Sequence, residues 1–269
     1  MNIGASRKSI ALGCMVRMET IIRMEAFAAV FVLLALVELM APRRRLLTSK
    51  SRRWLANLTI VALNPLCVAL VFPILPTGLA LIAAEQNWGL FNRISMPFWL
   101  EVAAGVVLLD LVVYTQHVLH HAVPVLWRLH MIHHADLDFD MTTGLRFHPI
   151  EIVISMAIKL AAVAALGVAP LAVLIFEVAL NATSMFNHSN ITIPGSIDRL
   201  LRLLVVTPDM HRVHHSVIIR ETNSNYGFNF PWWDRLFGTY KDQPAKGHKE
   251  DEMVKVPYHI PTQAARSAA

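Results

Sequence analysis

Cysteine is nearly absent. The chain of 269 residues has two, Cys14 and Cys67, far apart and remote from any histidine cluster. That argues against a disulfide framework, an iron–sulfur site and a zinc ribbon. Cys67 lies inside an apolar run and Cys14 in a leader-like stretch, so a thiolate-ligated haem is not expected either. Charge is scarce as well: charged residues are 16% of the chain, against roughly a quarter in soluble domains. There is no recognisable nucleic-acid-binding module, no internal repeat and no low-complexity tract. The Glu-x-x-His motif by which soluble bundles hold two irons is missing too. The net charge of +5 therefore does not point to nucleic acid. The arginines cluster beside apolar runs, where they set topology and meet anionic head groups.

Apolar sequence is abundant, with 55% of residues hydrophobic. The expectation is an all-α integral membrane domain with about four membrane-embedded helical segments. Residues 1–25 read as a leader without a structural part, with Met15, Met18 or Met24 as alternative starts; they lack a signal-peptide cleavage site. A first span over about 26–41, interrupted by Glu38, stops at Pro42 and the basic run from Arg43 to Arg53, which marks a cytoplasmic loop. A second apolar run, 55–84, exceeds the length of one crossing, and Pro65, Pro73 and Pro76 are expected to kink or end it. A third span over 97–116 returns to the cytoplasm. Residues 150–182 are expected to break at Gly167-Val-Ala-Pro170 into a hairpin of 150–166 and 171–184. A single crossing there would separate the histidines that follow from those that precede. An amphipathic stretch near 197–206 comes next, and the membrane domain of 26–245 ends in a polar tail, 246–269.

Histidine carries the chemistry. His117-Val-Leu-His120-His121, His130-Met-Ile-His133-His134 and His211-Arg-Val-His214-His215 lie at the ends of apolar segments. Spacings of three and four residues put imidazoles on one helix face, and neutral imidazole suits iron, zinc and copper. Asp110, Tyr114, His117 and His121 form one stripe on a helix. Asp110 is placed to take the spare ring N–H of a ligand, and His120 is turned away as a bystander. The candidate ligands are His117, His121, His130, His133, His134, His188, His211, His214 and His215. Asp110, Tyr114 and Asp209 are candidates for support behind them. His148 is left unassigned, and His248 and His259 read as solvated. Nine imidazoles exceed the four or five ligands of one ion, so two ions with open positions are expected.

Several motifs carry a resemblance. Asp110-x-x-x-Tyr114-x-x-His117-x-x-x-His121, Trp127-x-x-His130-x-x-His133-His134, Phe147-His148-Pro149, Asn187-His188 and Thr207-Pro208-Asp209-Met210-His211-x-x-His214-His215 occur in that order. They are followed by Asn225-Tyr226-Gly227 and Trp232-Trp233-Asp234-x-x-Phe237-Gly238-Thr239. Over about residues 26–245 the chain resembles the fatty acid hydroxylase / sterol desaturase superfamily. The resemblance implies a helical membrane fold with a cytoplasm-facing site for two iron ions. It also implies O2-dependent hydroxylation or desaturation of a lipid C–H bond. Ser184 stands where some relatives have a further histidine, so one iron is expected to carry an extra water. No cytochrome or flavin motif is fused, so electrons are expected from a separate cytochrome- or ferredoxin-type donor. The two C-terminal motifs either close the site or anchor the chain at the membrane interface. A bacterial inner membrane or its equivalent is the expected location.

Two other readings compete. A histidine-rich metal-binding or transport protein would place its ligands near mid-span, whereas these gather at span ends. A metal-dependent lipid hydrolase would need neither O2 nor a reductant.

Overall fold

A computed structural model describes residues 3–136, 138–245 and 247, with side chains placed from Arg17 onward. Among the described residues there is no strand beyond one isolated bridge between Pro42 and Ile191. The long helices are α1 (Ile3–Met40), α2 (Lys50–Val71), α3 (Pro76–Gln86), α4 (Phe98–Ala122), α5 (Pro124–His134), α6 (Pro149–Leu166) and α7 (Pro170–Asn187). Four short ones follow: α8 (Gly195–Leu201), α9 (Pro208–His214), α10 (Ile219–Thr222) and α11 (Trp232–Leu236). Five stretches are long and apolar enough to cross a membrane: Arg17–Met40, Lys50–Arg93, Phe98–Ala122, Pro149–Leu166 and Pro170–Asn187. The chain is a multi-pass membrane protein.

Proline sets many boundaries. It occupies the first turn of α3, α5, α6, α7 and α9, where its missing N–H costs nothing. Pro65 lies inside α2 without ending it; the break comes at residues 72–75, around Pro73. The expected hairpin is present. α6 closes on Gly167 in the left-handed conformation (φ 64°), and α7 starts three residues later. A side chain on Gly167 would run into the Trp88 carbonyl, so glycine is needed there for contact as well as for φ.

The bundle core lies between α4, α6 and α7, with Val102, Leu109, Val163, Ala172, Val173 and Phe176 buried. Gly105 lets α4 approach α7; a Cβ there would meet the Ala172 methyl at 2.9 Å. Within a bilayer, such small-residue packing replaces the hydrophobic effect as the source of helix association. Leu55, Leu66 and Leu70 point outward, as lipid-facing residues do.

Two sequence expectations change. Part of the stretch given no structural part belongs to α1 and contacts the bundle. Glu19 accepts from Thr77 Oγ1 at 2.7 Å, and Arg23 meets Glu177 at 2.8 Å, which also pairs with Lys159 at 2.5 Å. Charges at this depth need partners, and these link α1, α3, α6 and α7. The basic run is also more than a topology marker. Arg44 and Arg53 are buried: Arg44 meets Asp138 at 2.5 Å, and Arg53 meets Asp136 and Asp140 at 2.7 Å each. The Arg43 N–H donates to the Asn190 carbonyl at 2.9 Å. The basic loop, Asp136 with residues 138–140, and residues 188–192 therefore share one end of the bundle. Gly89 and Gly167 meet at the other.

Candidate metal centre

At that first end, four helices bring histidines to one point. α4 delivers His117 and His121 one turn apart, α5 delivers His130, His133 and His134, and α9 delivers His211 and His214 with His215 as its C-cap. His188 caps α7. The nine form two adjoining groups, each with ring nitrogens within 4.8 Å of one another. One holds His117, His121, His130, His134 and His214; the other holds His133, His188, His211 and His215.

What holds the far side of each ring decides what its inner nitrogen can do. His117 Nδ1 donates to the Tyr226 carbonyl, His188 Nδ1 to the Ser184 carbonyl and His214 Nδ1 to the Ser224 carbonyl, each at 2.7 Å. His130 Nδ1 donates to Glu151 at 2.7 Å, and His121 Nδ1 to the Asn223 side-chain oxygen at 3.3 Å. A neutral imidazole that donates from Nδ1 presents a lone pair at Nε2. Nε2 of His117 faces Nε2 of His130 at 3.1 Å, and Nε2 of His188 lies 3.0–3.1 Å from those of His133, His211 and His215. Between His117 and His130, lone pair meets lone pair with no proton to share. The buried Nε2 atoms of His121, His134 and His214 have no hydrogen-bond partner at all. Repulsive and orphaned acceptors of this kind are satisfied by a cation placed among them, and imidazole ligands around one ion at about 2.0–2.1 Å show such spacings. The residues present therefore fit a metal, and on donor type they fit the nitrogen-loving transition metals.

Electrostatics agrees. Burial holds the His188 and His214 imidazoles down at about 3, against an ordinary 6.5, and depresses His130, His133, His134, His211 and His215 well below that value. All are neutral at physiological pH, the form a metal requires. Phe147 stacks on His133 at 4.5 Å, and Phe139 lies against His188 and His215. The chamber is walled by rings.

The supporting residues differ from expectation. Asp110 accepts from Trp233 Nε1 at 2.9 Å and from the Asn229 and Phe230 N–H groups at 3.3 Å each; it fastens the C-terminal segment to α4. Tyr114 hydrogen-bonds Thr239 at 2.8 Å. Asp110 lies eleven residues, about three turns, before His121, and this distance separates it from the rings. Asp209 pairs with Arg43 at 3.2 Å and with Arg212, tying α9 to the basic loop. The carboxylate that does take a ring N–H is Glu151. Its sequence signal was the one acid of α6, in the helix's first turn. His120 lies outside both groups; it is buried, and its Nδ1 donates to the Gln116 carbonyl at 2.7 Å. His148 Nδ1 accepts from the Ile150 N–H at 3.0 Å and caps α6. His248 and His259 lie outside the described residues. Ser184, the position of departure, donates to the Gly144 carbonyl at 2.6 Å, and the group beside it has four histidines rather than five. Asn225-Tyr226-Gly227 lies over the first group, held by Asp234, which accepts from the Tyr226 and Gly227 N–H groups at 2.8 and 2.9 Å.

Comparison with known proteins converges on one family. The fatty acid hydroxylase family matches residues 102–239, the stretch that contains all nine histidines. An ornithine lipid hydroxylase from Rhizobium tropici is 34% identical over 150 residues, which cover 55% of this chain and 44% of that protein. Alkylglycerol monooxygenase from Homo sapiens is 28% identical over 175 residues, 60% of this chain and 35% of the relative. Cholesterol 25-hydroxylase from Rattus norvegicus is 29% identical over 146 residues, with shares of 54% and 48%. The match thus spans less than half the length of these relatives. No solved structure matches the chain. With the family match extending over half of its length and enclosing both histidine groups, the chain belongs to the fatty acid hydroxylase family.

Proposed function

We propose that the protein is a membrane-bound di-iron oxygenase that hydroxylates or desaturates a lipid with O2 and external electrons. The observation that carries this reading is the pair of adjoining histidine groups whose inner nitrogens crowd together, with the Nε2 atoms of His121, His134 and His214 left without a partner. His117, His121, His130, His134 and His214 would hold one iron; His133, His188, His211 and His215 would hold the other. Iron bound there supplies the activation of O2 and the oxidation of an unactivated C–H bond, which no side chain supplies. The protein does the rest. The carbonyls of Ser184, Ser224 and Tyr226 fix three rings in the tautomer that turns Nε2 inward, and Glu151 does the same for His130. Phe139, Phe147 and Phe228 exclude water from the chamber. Ser184 leaves the second group one ligand short, and with it an open position.

The histidines gather at the end of the bundle that carries the basic loop. This supports an enzyme working at the membrane surface over a transporter with mid-span ligands. Positive charge retained inside supports a cytoplasmic orientation, in a bacterial inner membrane or its equivalent. Electrons would come from a separate cytochrome- or ferredoxin-type protein. The relatives' names supply the substrate classes to try first: aminolipids, alkylglycerols and sterols. The test is lipid mass spectrometry of a deletion strain and its complement, with isotopically labelled O2, alongside metal analysis of iron-replete protein. Two irons per chain and a labelled or unsaturated lipid in the complement are expected. A single metal per chain, or a product unaffected by removal of O2, overturns the reading.

A further inference from the structure

The cap carries an apolar surface that the five spans do not account for. Leu200 on α8 and Leu203 and Leu204 just after it are exposed, as are Trp232, Leu236 and Phe237 on and after α11. Leu200 and Leu236 are the extremes, at 68% and 69%. The two strips form one rigid face. Trp232 Nε1 donates to the Leu203 carbonyl at 2.7 Å, the Arg235 guanidinium donates to the Arg202 carbonyl at 3.1 Å, and buried Arg202 is held by Asp198 at 2.6 Å. Contiguous exposed apolar area of this kind marks an interaction surface.

Depth identifies the partner. Trp233 Nε1 donates to Asp110 at 2.9 Å, and the Phe237 ring stacks on Tyr114 at 5.5 Å. Asp110 is the midpoint of α4, twelve residues from Phe98 and twelve from Ala122, or about 18 Å from each end. A placement that centres α4 in a ~30 Å hydrocarbon layer therefore takes α11 below the head groups. Asp110 itself accepts three N–H groups from this segment, as a carboxylate at such depth requires. At the rim, Arg199 and Arg235 are exposed, while Asp198 and Asp234 are buried. Asp242, which is exposed, is paired with Arg202 at 2.9 Å.

We propose that the face formed by α8, the turn after it and α11 is seated in the bilayer as an interfacial wedge. Its leucines and aromatic rings lie among the acyl chains, and the exposed Arg199 and Arg235 side chains reach from it toward the lipid phosphates. The partner is the lipid surface. From this face, rings lead inward from Phe237 through Tyr114 and Tyr226 to His121, with the last pair of ring centres 5.2 Å apart. An acyl chain in the bilayer would thus lie against the outer end of a packed row of rings whose inner end touches the first histidine group; a role for that row in oxidation alone rests on the proposed lipid-oxidising activity.

The test uses the full chain in phosphatidylcholine–phosphatidylglycerol vesicles, in a background with Cys14 and Cys67 replaced by serine. Nitroxides are attached to single cysteines replacing Leu200, Leu204 or Leu236. Their collision rates with O2, which concentrates in hydrocarbon, and with a neutral water-soluble nickel chelate are compared. Oxygen should exceed nickel at all three, as at the lipid-facing reference Leu70→Cys, with the reverse order at the cap reference Arg220→Cys. Nickel exceeding oxygen at the three test positions overturns the proposal, because the face then lies in water. Exclusion of both reagents with spin–spin broadening also overturns it, because a second copy then covers the face. Neither metal content nor activity enters the readout, so failure of the catalytic reading cannot imitate failure of this one.

Discussion

His117, His188 and His214 owe their orientation to backbone carbonyls, and His130 owes its orientation to a carboxylate. The difference makes His130, like His121 with its Asn223 partner, a proposed ligand whose support is open to mutation. Glu151→Gln keeps the shape but weakens the acceptor, and metal affinity should fall by about 10–100-fold, the usual cost of losing such a partner. Titration of metal-depleted protein with Fe(II) would measure it. Ligands and bystander should also separate. His121→Ala, His133→Ala and His214→Ala should each lower metal content and abolish activity. His120→Ala, which removes a ring outside both groups, should leave the metal-to-protein ratio unchanged by elemental analysis. The nine-histidine gathering was legible because imidazoles repeat at helical spacing beside apolar runs. Glu151 was not legible, since a single acid at a helix start also suits the helix dipole. Asp110 misled for the opposite reason. It shares a helix stripe with His117 and His121, but its carboxylate is taken by N–H groups from a segment over a hundred residues later.

Among the elements, the hairpin of α6 and α7 and the packed basic loop decide whether the site forms. Gly144 sits where an added Cβ would strike the Ser184 carbonyl and come within 2.8 Å of His188 Nδ1. Gly144→Ala should therefore push the end of α7 outward. A loss of roughly 1–3 kcal/mol in stability is expected for such overpacking, with metal lost preferentially from the four-histidine group. Arg53→Ala would strand Asp136 and Asp140, and breaking a buried pair costs about 3–5 kcal/mol; detergent-solubilised protein should show it as a lower unfolding midpoint. Topology follows from the same contacts. In the cysteine-free background, Ser51→Cys and Arg220→Cys should react with an impermeant thiol reagent from one face of the membrane, and Asn87→Cys and Ser95→Cys from the other. Labelling of Ser51→Cys and Arg220→Cys from opposite faces would break the shared site. The hairpin was readable because glycine and proline interrupt an apolar run. The burial of Arg44 and Arg53 was not, because their acids lie in a stretch where sequence alone offers no pairing.

For the whole molecule, acid is the sensitive variable. His188 and His214 titrate at about 3 in the fold and near 6.5 when exposed. Below pH 6.5 the unfolded chain binds protons that the folded one refuses, so stability falls as pH drops. The slope is about 1.4 kcal/mol per pH unit for each such histidine. Burial alone would raise the Asp136 carboxyl, but Arg53 holds it below its ordinary 3.8, so its contribution is lost only at lower pH. Metal-depleted protein should show an unfolding temperature that declines as pH falls below about 6.5. The all-helical membrane architecture was visible in composition and apolar run length. The clamp of the C-terminal segment onto mid-α4 was not, because it depends on side chains far apart in sequence.

The order in which the proposed ligands occur along the chain has a consequence for biogenesis. Six of the nine histidines precede Thr207, and the remaining three, on α9 and its cap, are synthesised only after α7. A ribosome that has delivered every span to the membrane still presents an incomplete pair of chambers. On the proposed assignment, both groups are completed only after insertion of the last span, and any protein that delivers the metal would meet an already membrane-bound client. A chain arrested before α9 would be inserted and helical but without the three histidines that complete both groups, a state that quality control would have to distinguish from the finished protein by its uncapped end.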